Sequence, residues 1–226
     1  NLNLGRLTGA NLSAAYLSGA TLTKADFRGA TLEQANLTGA DLTGASLHRH
    51  NLQGADFPGA NLEAVAINLA IYDSHTRWPD TFRYRSAGAV GPGASLMGAF
   101  LNTAYLRGVD LTGARLLGAY LSGTDLTGAT LDDVSFSSAN LQKEFLTGAS
   151  LRNARLRGTE LHGADLRATN LTGVDFSGVG SIAGADFTLA YGLSDEARAQ
   201  LLSRPAAELD VYNAFTRSTT RRSLEA

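Results

Sequence analysis

Large apolar residues recur every five positions along most of this chain. They fall at Leu2, Leu7, Leu12, Leu17, Leu22 and Phe27, and continue in the same step to Leu62 and Ile67, 14 positions without a miss. A second run holds the step from Leu96 to Phe176 over 17 positions. A small residue stands two places before each large one. It is Ala at 10 of 13 such positions in the first run and at 10 of 17 in the second, where Val109, Val134, Val174 and three threonines fill most of the rest. The residue between the two is mostly Asn, Asp, Thr or Ser, and the pair that follows is typically Thr-Gly or Ser-Gly.

A step of five matches neither a helix at 3.6 nor a strand at 2. The chain must therefore turn in every repeat. Asn, Asp, Thr and Gly are the turn formers, and glycine takes positive φ without steric cost. Short extended pieces between the turns build a coil, and coils stacked about 4.8 Å apart pair backbone with backbone. The large and small residues then point inward and the other three point out. Two positions conflict with this pattern. Glu144 and His50 occupy inward small-residue sites, and an unpaired buried carboxylate costs several kcal/mol. Both are expected to turn outward on a local bulge.

Ala-Asn-Leu-Thr-Gly at 35–39, Ala-Asp-Leu-Thr-Gly at 40–44 and Ala-Asp-Leu-Arg-Ala at 164–168 resemble the A(D/N)LXX signature of the pentapeptide repeat family. The resemblance covers about residues 1–67 and 94–192. It implies an all-β fold, a right-handed quadrilateral parallel β-helix with four repeats per coil. The 31 repeats of the two runs would make about eight coils, a solenoid about 35–40 Å long.

The expected order is a first repeat run over 1–67, an inserted loop over 68–93, a second run over 94–192 and a helical C-terminal cap and tail over 193–226, together one continuous domain. Ile67 and Leu96 lie 29 residues apart, so the second run is out of phase. The intervening stretch holds the only Trp, and its Ile-Tyr-Asp…Thr-Arg-Trp-Pro…Phe segment looks like an insertion seen in cyanobacterial members of the family. Arg77, Trp78, Phe82, Arg83 and Arg85, with Tyr84, form a candidate protein-binding element, since aromatics and arginine dominate binding hot spots. The alternative is that Trp78 and Phe82 fold back and plug the break while the arginines face out. Ala-Gly-Ala-Val-Gly-Pro-Gly at 87–93 reads as flexible loop. Ile182 follows Phe176 by six residues, which predicts a one-residue bulge. Ser194 predicts an N-cap for a helix over about 195–203 presenting Leu201 and Leu202. Pro205 suits the first position of a second helix carrying Leu209, Tyr212 and Phe215 at spacing three, and the last residues are expected to fray. An open solenoid end needs covering, so these helices read as a cap. Resemblance to some family members offers a homodimer contact through Leu201, Leu209, Tyr212 and Phe215 as the other use.

Residues 20 apart stack if four repeats make a coil. Phe100 then lies under Tyr120, and Tyr105 lies two coils from Phe145, with Asp125 between them. Phe100, Tyr105 and Tyr120 become a candidate protein-binding patch. Arg152, Arg155 and Arg157 share one coil.

Composition narrows the function further. The chain of 226 residues has no cysteine, so disulfides, cysteine metal sites and thiol catalysis are excluded. No run of about 18 apolar residues exists to span a membrane. Net charge is -2, with -1 over 1–67, +1 over 68–93, -2 over 94–192 and 0 in the tail. Nothing here supports direct nucleic-acid binding by bulk positive charge. His48, His50, His75 and His162 lack metal-ligand spacing, and no phosphate loop, nucleophile elbow or HExxH occurs. Flat convex faces offer no catalytic cleft, so no enzyme, cofactor or metal is expected. The reading is a non-enzymatic interaction or scaffold protein with an unknown protein partner. The alternative, drawn from the quinolone-resistance branch that the family resemblance brings in, is a DNA-mimicking modulator of gyrase-type topoisomerases; near-neutral segments weigh against it. The chain opens at Asn1. A cytoplasmic setting is expected, with the periplasm or thylakoid lumen as alternatives if a leader has been removed.

Overall fold

The computed structural model describes residues 1–226. One repeat accounts for every backbone donor it contains. In Ala40–Gly44, the Ala40 N–H donates to Leu37 O at 3.0 Å and closes the turn. Asp41 N–H donates back to Ala20 O, while Leu42 and Gly44 N–H donate forward to Asn61 O and Glu63 O. One donor is left, that of Thr43, and the Asp41 side chain accepts it through Oδ1 at 3.0 Å. This is why Asp or Asn recurs at that position. Their short side chains reach the N–H two residues on, as Asn36, Asp110, Asn140 and Asp175 also do. The outward carboxylates are thus turn braces. Accepting from Thr43 lowers the Asp41 carboxyl below the usual range, and the Arg28 guanidinium does the same to Asp26. The last turn residue takes left-handed φ, +67° at Gly113. Asp133 and Lys143 adopt the same conformation at 59° and 55°, which costs a residue with a Cβ about 1 kcal/mol.

The chain divides into two compact units, Asn1–Ser95 and Leu96–Ala226. In each, residues 20 apart form parallel bridges, such as Asp26↔Ser46 and Thr31↔Asn51 in the first unit and Asp110↔Thr130 and Thr130↔Ser150 in the second. Four repeats therefore complete one coil. The interior is columns of the large residues with the small ones beside them. Leu22, Phe27, Leu42 and Phe57 in the first unit, and Leu111, Leu121, Phe136 and Leu161 in the second, are fully buried. Each buried Leu or Phe contributes about 1.5–3 kcal/mol.

In the first unit the stretch after Ile67 stays in the coil. Ile71 bridges Asn51, Arg77 bridges Asp56 one residue late, and Val90 bridges Ile71. Tyr72 and Val90 are buried, so the glycine-rich stretch read as flexible loop is in fact paired backbone. Gly91 lies beneath Tyr72, where an added Cβ would come within 2.5 Å of Tyr72 O. A short 3-10 turn, Tyr84–Ser86, is the one helical piece before Asp195.

In the second unit the bulge falls where the spacing predicted it: Asp165↔Asp186 and Asn170↔Tyr191 pair 21 apart. Beyond it come α1 (Asp195–Leu202), α2 (Ala206–Leu209), β1 (Tyr212–Asn213), β2 (Ser218–Thr219) and α3 (Thr220–Glu225). Ser194 caps α1, accepting from Ala197 N–H. Two expectations need correction. The second helix stops at Leu209, and Tyr212 and Phe215 lie in β1 and the following turn. The terminal residues are ordered by α3, with Thr220, Ser223 and Leu224 buried. The spacing-three pattern misled because Tyr212 and Phe215 face outward, while Asn213 between them anchors the chain.

Candidate functional site

The aromatic residues after Ile67 assemble into one stack within the first unit. Trp78 follows Arg77 into the inward column and lies parallel to Phe57, with ring centres 4.9 Å apart. Tyr84 stacks on Trp78 at 5.1 Å, and Phe82 and Tyr72 pack at 5.5 and 6.0 Å. Trp78, Phe82 and Tyr84 are half-buried. The arginines differ among themselves. Arg77 is exposed but ion-paired with Asp56, Arg85 lies over the Tyr84 ring at 5.3 Å, and Arg83 is exposed.

The outward residues of the second unit stack in the register the 20-residue coil predicts. Phe100 and Tyr120 bridge, and their rings lie parallel at 4.9 Å. Phe100 is 74% exposed, Tyr105 83% and Tyr120 45%. Met97 and Leu117, on the preceding corner of the same two coils, are also exposed. Arg107 pairs with Asp125 at 3.1 Å. Arg115, Arg152, Arg155 and Arg157 are exposed.

His50 and Glu144 do not bulge outward. Both are fully buried at inward sites. The His50 Nδ1–H donates to His48 O at 3.0 Å, which fixes the tautomer. Its Nε2 has no partner, and the ring meets Phe27 edge-on at 6.1 Å. Burial lowers its pKa to about 4. Glu144 Oε2 accepts from Thr124 N–H at 3.2 Å, and Oε1 is unpartnered. Burial, reinforced by the Asp125 charge and opposed by the Thr124 bond, raises its pKa to about 10. Neutralisation replaces the larger penalty of a buried charge with the smaller one of holding the group uncharged. Threonines at inward sites solve the same problem by bonding backbone: Thr124 Oγ1 donates to Leu101 O and Thr159 Oγ1 to Phe136 O.

The C-terminal segment engages groups of the last coil through side chains. Glu208 accepts from Ile182 N–H at 2.7 Å, and Ser223 Oγ accepts from Phe187 N–H at 3.0 Å. Thr220 Oγ1 donates to Ile182 O, and Arg204 donates to Val179 O and Gly180 O. Asn213 Nδ2 donates to Gly184 O at 2.8 Å. Leu201 and Leu209 are buried within the unit, whereas Tyr212 and Phe215 are 60% and 64% exposed. Periodicity gave no hint of Arg204, Glu208 or Asn213, because their partners are 24 to 29 residues away. The segment also makes a concave feature that the flat-face reading excluded. A cleft of about 360 Å³ lies between the coil corner at Gly163 and Gly184 and the turn carrying Phe215. No group of three or more His, Asp or Glu side chains is arranged to hold a metal, and no helix is long and apolar enough to cross a membrane.

Eight copies of the pentapeptide repeat are recognised over residues 6–44, 35–68, 104–142 and 146–179, more than half of the chain. The chain belongs to the pentapeptide repeat family, whose fold is the right-handed quadrilateral β-helix. Among solved structures it is similar to HetL, a pentapeptide repeat protein involved in heterocyst differentiation regulation from the cyanobacterium Nostoc sp. strain PCC 7120. Identity is 27%, over 83% of this chain and 76% of that one, with a TM-score of 0.32. A pentapeptide repeat protein of the Arabidopsis thaliana thylakoid lumen is 27% identical over 97% and 90%, with a TM-score of 0.23. QnrB1, a plasmid-mediated fluoroquinolone resistance protein, is 17% identical over 87% and 94%, with a TM-score of 0.40. No protein of curated function matches the sequence.

Proposed function

We propose that the protein is a non-enzymatic interaction or scaffold protein that binds a protein partner through outward coil faces of its second unit. The observation that carries this reading is the uncharged apolar cluster of Met97, Phe100, Leu117 and Tyr120 on two successive coils, exposed by 50%, 74%, 47% and 45%. Contiguous exposed aromatics on a rigid backbone supply contact area at little entropic cost, and such patches mark interaction sites. Tyr105, on the next face, and the exposed arginines Arg83 and Arg85 of the first unit extend the set of candidate contacts. The C-terminal segment serves in this reading as the cap of the second unit, since its side chains bond to the last coil.

A DNA-mimicking role needs a concentrated negative face. Asn1–Ser95 carries seven Lys or Arg against seven Asp or Glu, and Leu96–Ala226 twelve against fourteen. Several of the carboxylates are paired with arginine, as in Asp26–Arg28, Asp125–Arg107 and Asp165–Arg167. This charge layout gives that role no support.

The test is affinity capture from an extract of the source organism with the native chain and with the double variant Phe100→Ser, Tyr120→Ser. A partner retained in stoichiometric amount by the native chain and lost with the variant, at matching melting temperatures, is the expected result. Equal capture by both chains would overturn the proposal.

A further inference from the structure

The cleft beside Gly163 and Gly184 is the strongest concave feature of the second unit, and its chemistry is specific. At about 360 Å³ it falls within the ordinary range for small-ligand sites, roughly 300–1,000 Å³. Its walls are aromatic. Phe145, on an outward coil position, meets Phe215 edge-to-face at 5.3 Å, and Tyr212 joins them. Its floor is the coil corner at Gly163 and Gly184, where Asn213 Nδ2 fixes the opposing turn by donating to both carbonyls. A flat molecule can therefore lie against the aromatic pair.

The charges around it lean one way. Lys143 and His162 line the cleft, both exposed and neither ion-paired. The carboxylate on the same wall, Asp165, is already spent. It is 2% exposed, takes a two-pronged bond from Arg167 at 2.7 Å on each side, and accepts from Thr147. The Arg167 guanidinium, paired with Asp165, sits 5.9 Å from the Phe215 ring centre. Glu144, which also borders the cleft, is buried with Oε1 unpartnered, and its raised pKa keeps it uncharged at neutral pH. An apolar slot with an unpaired lysine at its rim, one of its acids paired with arginine and the other buried uncharged, favours an anion carried on a planar apolar body.

We infer that this cleft is a binding site for a small aryl carboxylate or aryl sulfonate, its ring seated against the Phe145–Phe215 pair and its anionic group turned toward Lys143 and His162. The site is separate from the Phe100–Tyr120 patch, and the inference stands whether or not that patch binds a protein.

The test uses 8-anilinonaphthalene-1-sulfonate as the probe, titrated into the full chain and followed by fluorescence. Saturable one-to-one binding is expected. Phe215→Ser should weaken it about tenfold or more, through loss of one aromatic wall. Lys143→Gln should weaken it about threefold and reduce its salt dependence, as a part-exposed charge contact does. Phe100→Ser should leave it unchanged, which separates this site from the exposed patch. Amide chemical-shift changes induced by the probe should centre on Gly163, Gly184 and Asn213. Equal affinity in the native chain and Phe215→Ser, or unsaturable binding abolished by Phe100→Ser, would overturn the inference. So would a concentration-dependent dimer that buries Tyr212 and Phe215 and excludes the probe.

Discussion

Asn1–Ser95 and Leu96–Ala226 are made of one repeat, yet each buries an ionisable side chain of opposite type where alanine belongs. In the first unit it is His50, held neutral by burial, with one nitrogen donating to His48 O. In the second it is Glu144, also held neutral, with one oxygen accepting from Thr124 N–H. The two units close their final coils differently as well. The first stacks Phe57, Trp78 and Tyr84; the second brings in polar side chains from α2, α3 and β1 to bond individual backbone groups. The β-helix evidently constrains volume and backbone pairing at its inward sites more tightly than it constrains polarity, provided the group can shed its charge. The same property makes the two units respond to pH in opposite directions.

The widest departure from this tolerance is expected where packing volume is lost and an unpaired polar group is gained together. Leu121 lies fully buried in the large-residue column. Leu121→Asp should cost about 5 kcal/mol or more, from lost packing and an unpaired carboxyl together, while Thr127→Asp on an outward corner should change stability by less than about 0.5 kcal/mol. Thermal melts followed by circular dichroism check this, and similar midpoints for the two variants would break the inside–outside assignment.

Next comes the closing stack of the first unit. Trp78→Ala should cost about 3–5 kcal/mol, because it opens a space against Phe57 and Tyr84. Arg83→Ala, at an exposed site, should cost less than about 0.5 kcal/mol. A larger shift for Arg83→Ala than for Trp78→Ala in urea unfolding would mean that the stack does not hold the first unit together.

The Glu144 prediction concerns pH. Its folded pKa is raised from 4.5 to about 10, so the unfolded chain releases this proton first. Stability is full below pH 4.5 and falls as pH rises through the window up to about 10. Between pH 5 and 8 the loss from this group amounts to about 3–4 kcal/mol. Glu144→Gln should remove that slope from the unfolding free energy of the second unit. An unchanged slope would show that Glu144 ionises freely in the folded state.

The smallest expected effect is the mirror image in the first unit. His50 titrates near 4 when folded and 6.5 when unfolded. Its neutral form is the folded form, so stability is present above pH 6.5 and lost as pH falls toward 4. The loss between pH 7 and 5 is about 2 kcal/mol. Trp78, the only tryptophan, reports on this unit by fluorescence, and His50→Ala should flatten its acid limb. Acid sensitivity that persists in His50→Ala would assign the effect to another group.

Much of this molecule was legible in the sequence because the repeat is local. A turn every five residues places Leu121 inside, Thr127 outside, and Phe100 against Tyr120 without reference to anything farther than one coil. The bulge after Phe176 and the N-cap at Ser194 are equally local signals. The tertiary structure decided what no local rule could. Glu144 and His50 stay inside because burial itself shifts their titration, a feedback that residue type alone does not reveal. Val90 returns to pair with Ile71 across a stretch whose glycines suggested slack. Tyr212 and Phe215 left the expected helix because Asn213 bonds Gly184 O, 29 residues away, and such a contact outweighs the modest preference of a short apolar pattern for helix. The cleft exists for the same reason: its two walls are set by long-range hydrogen bonds, and periodicity carries no record of them.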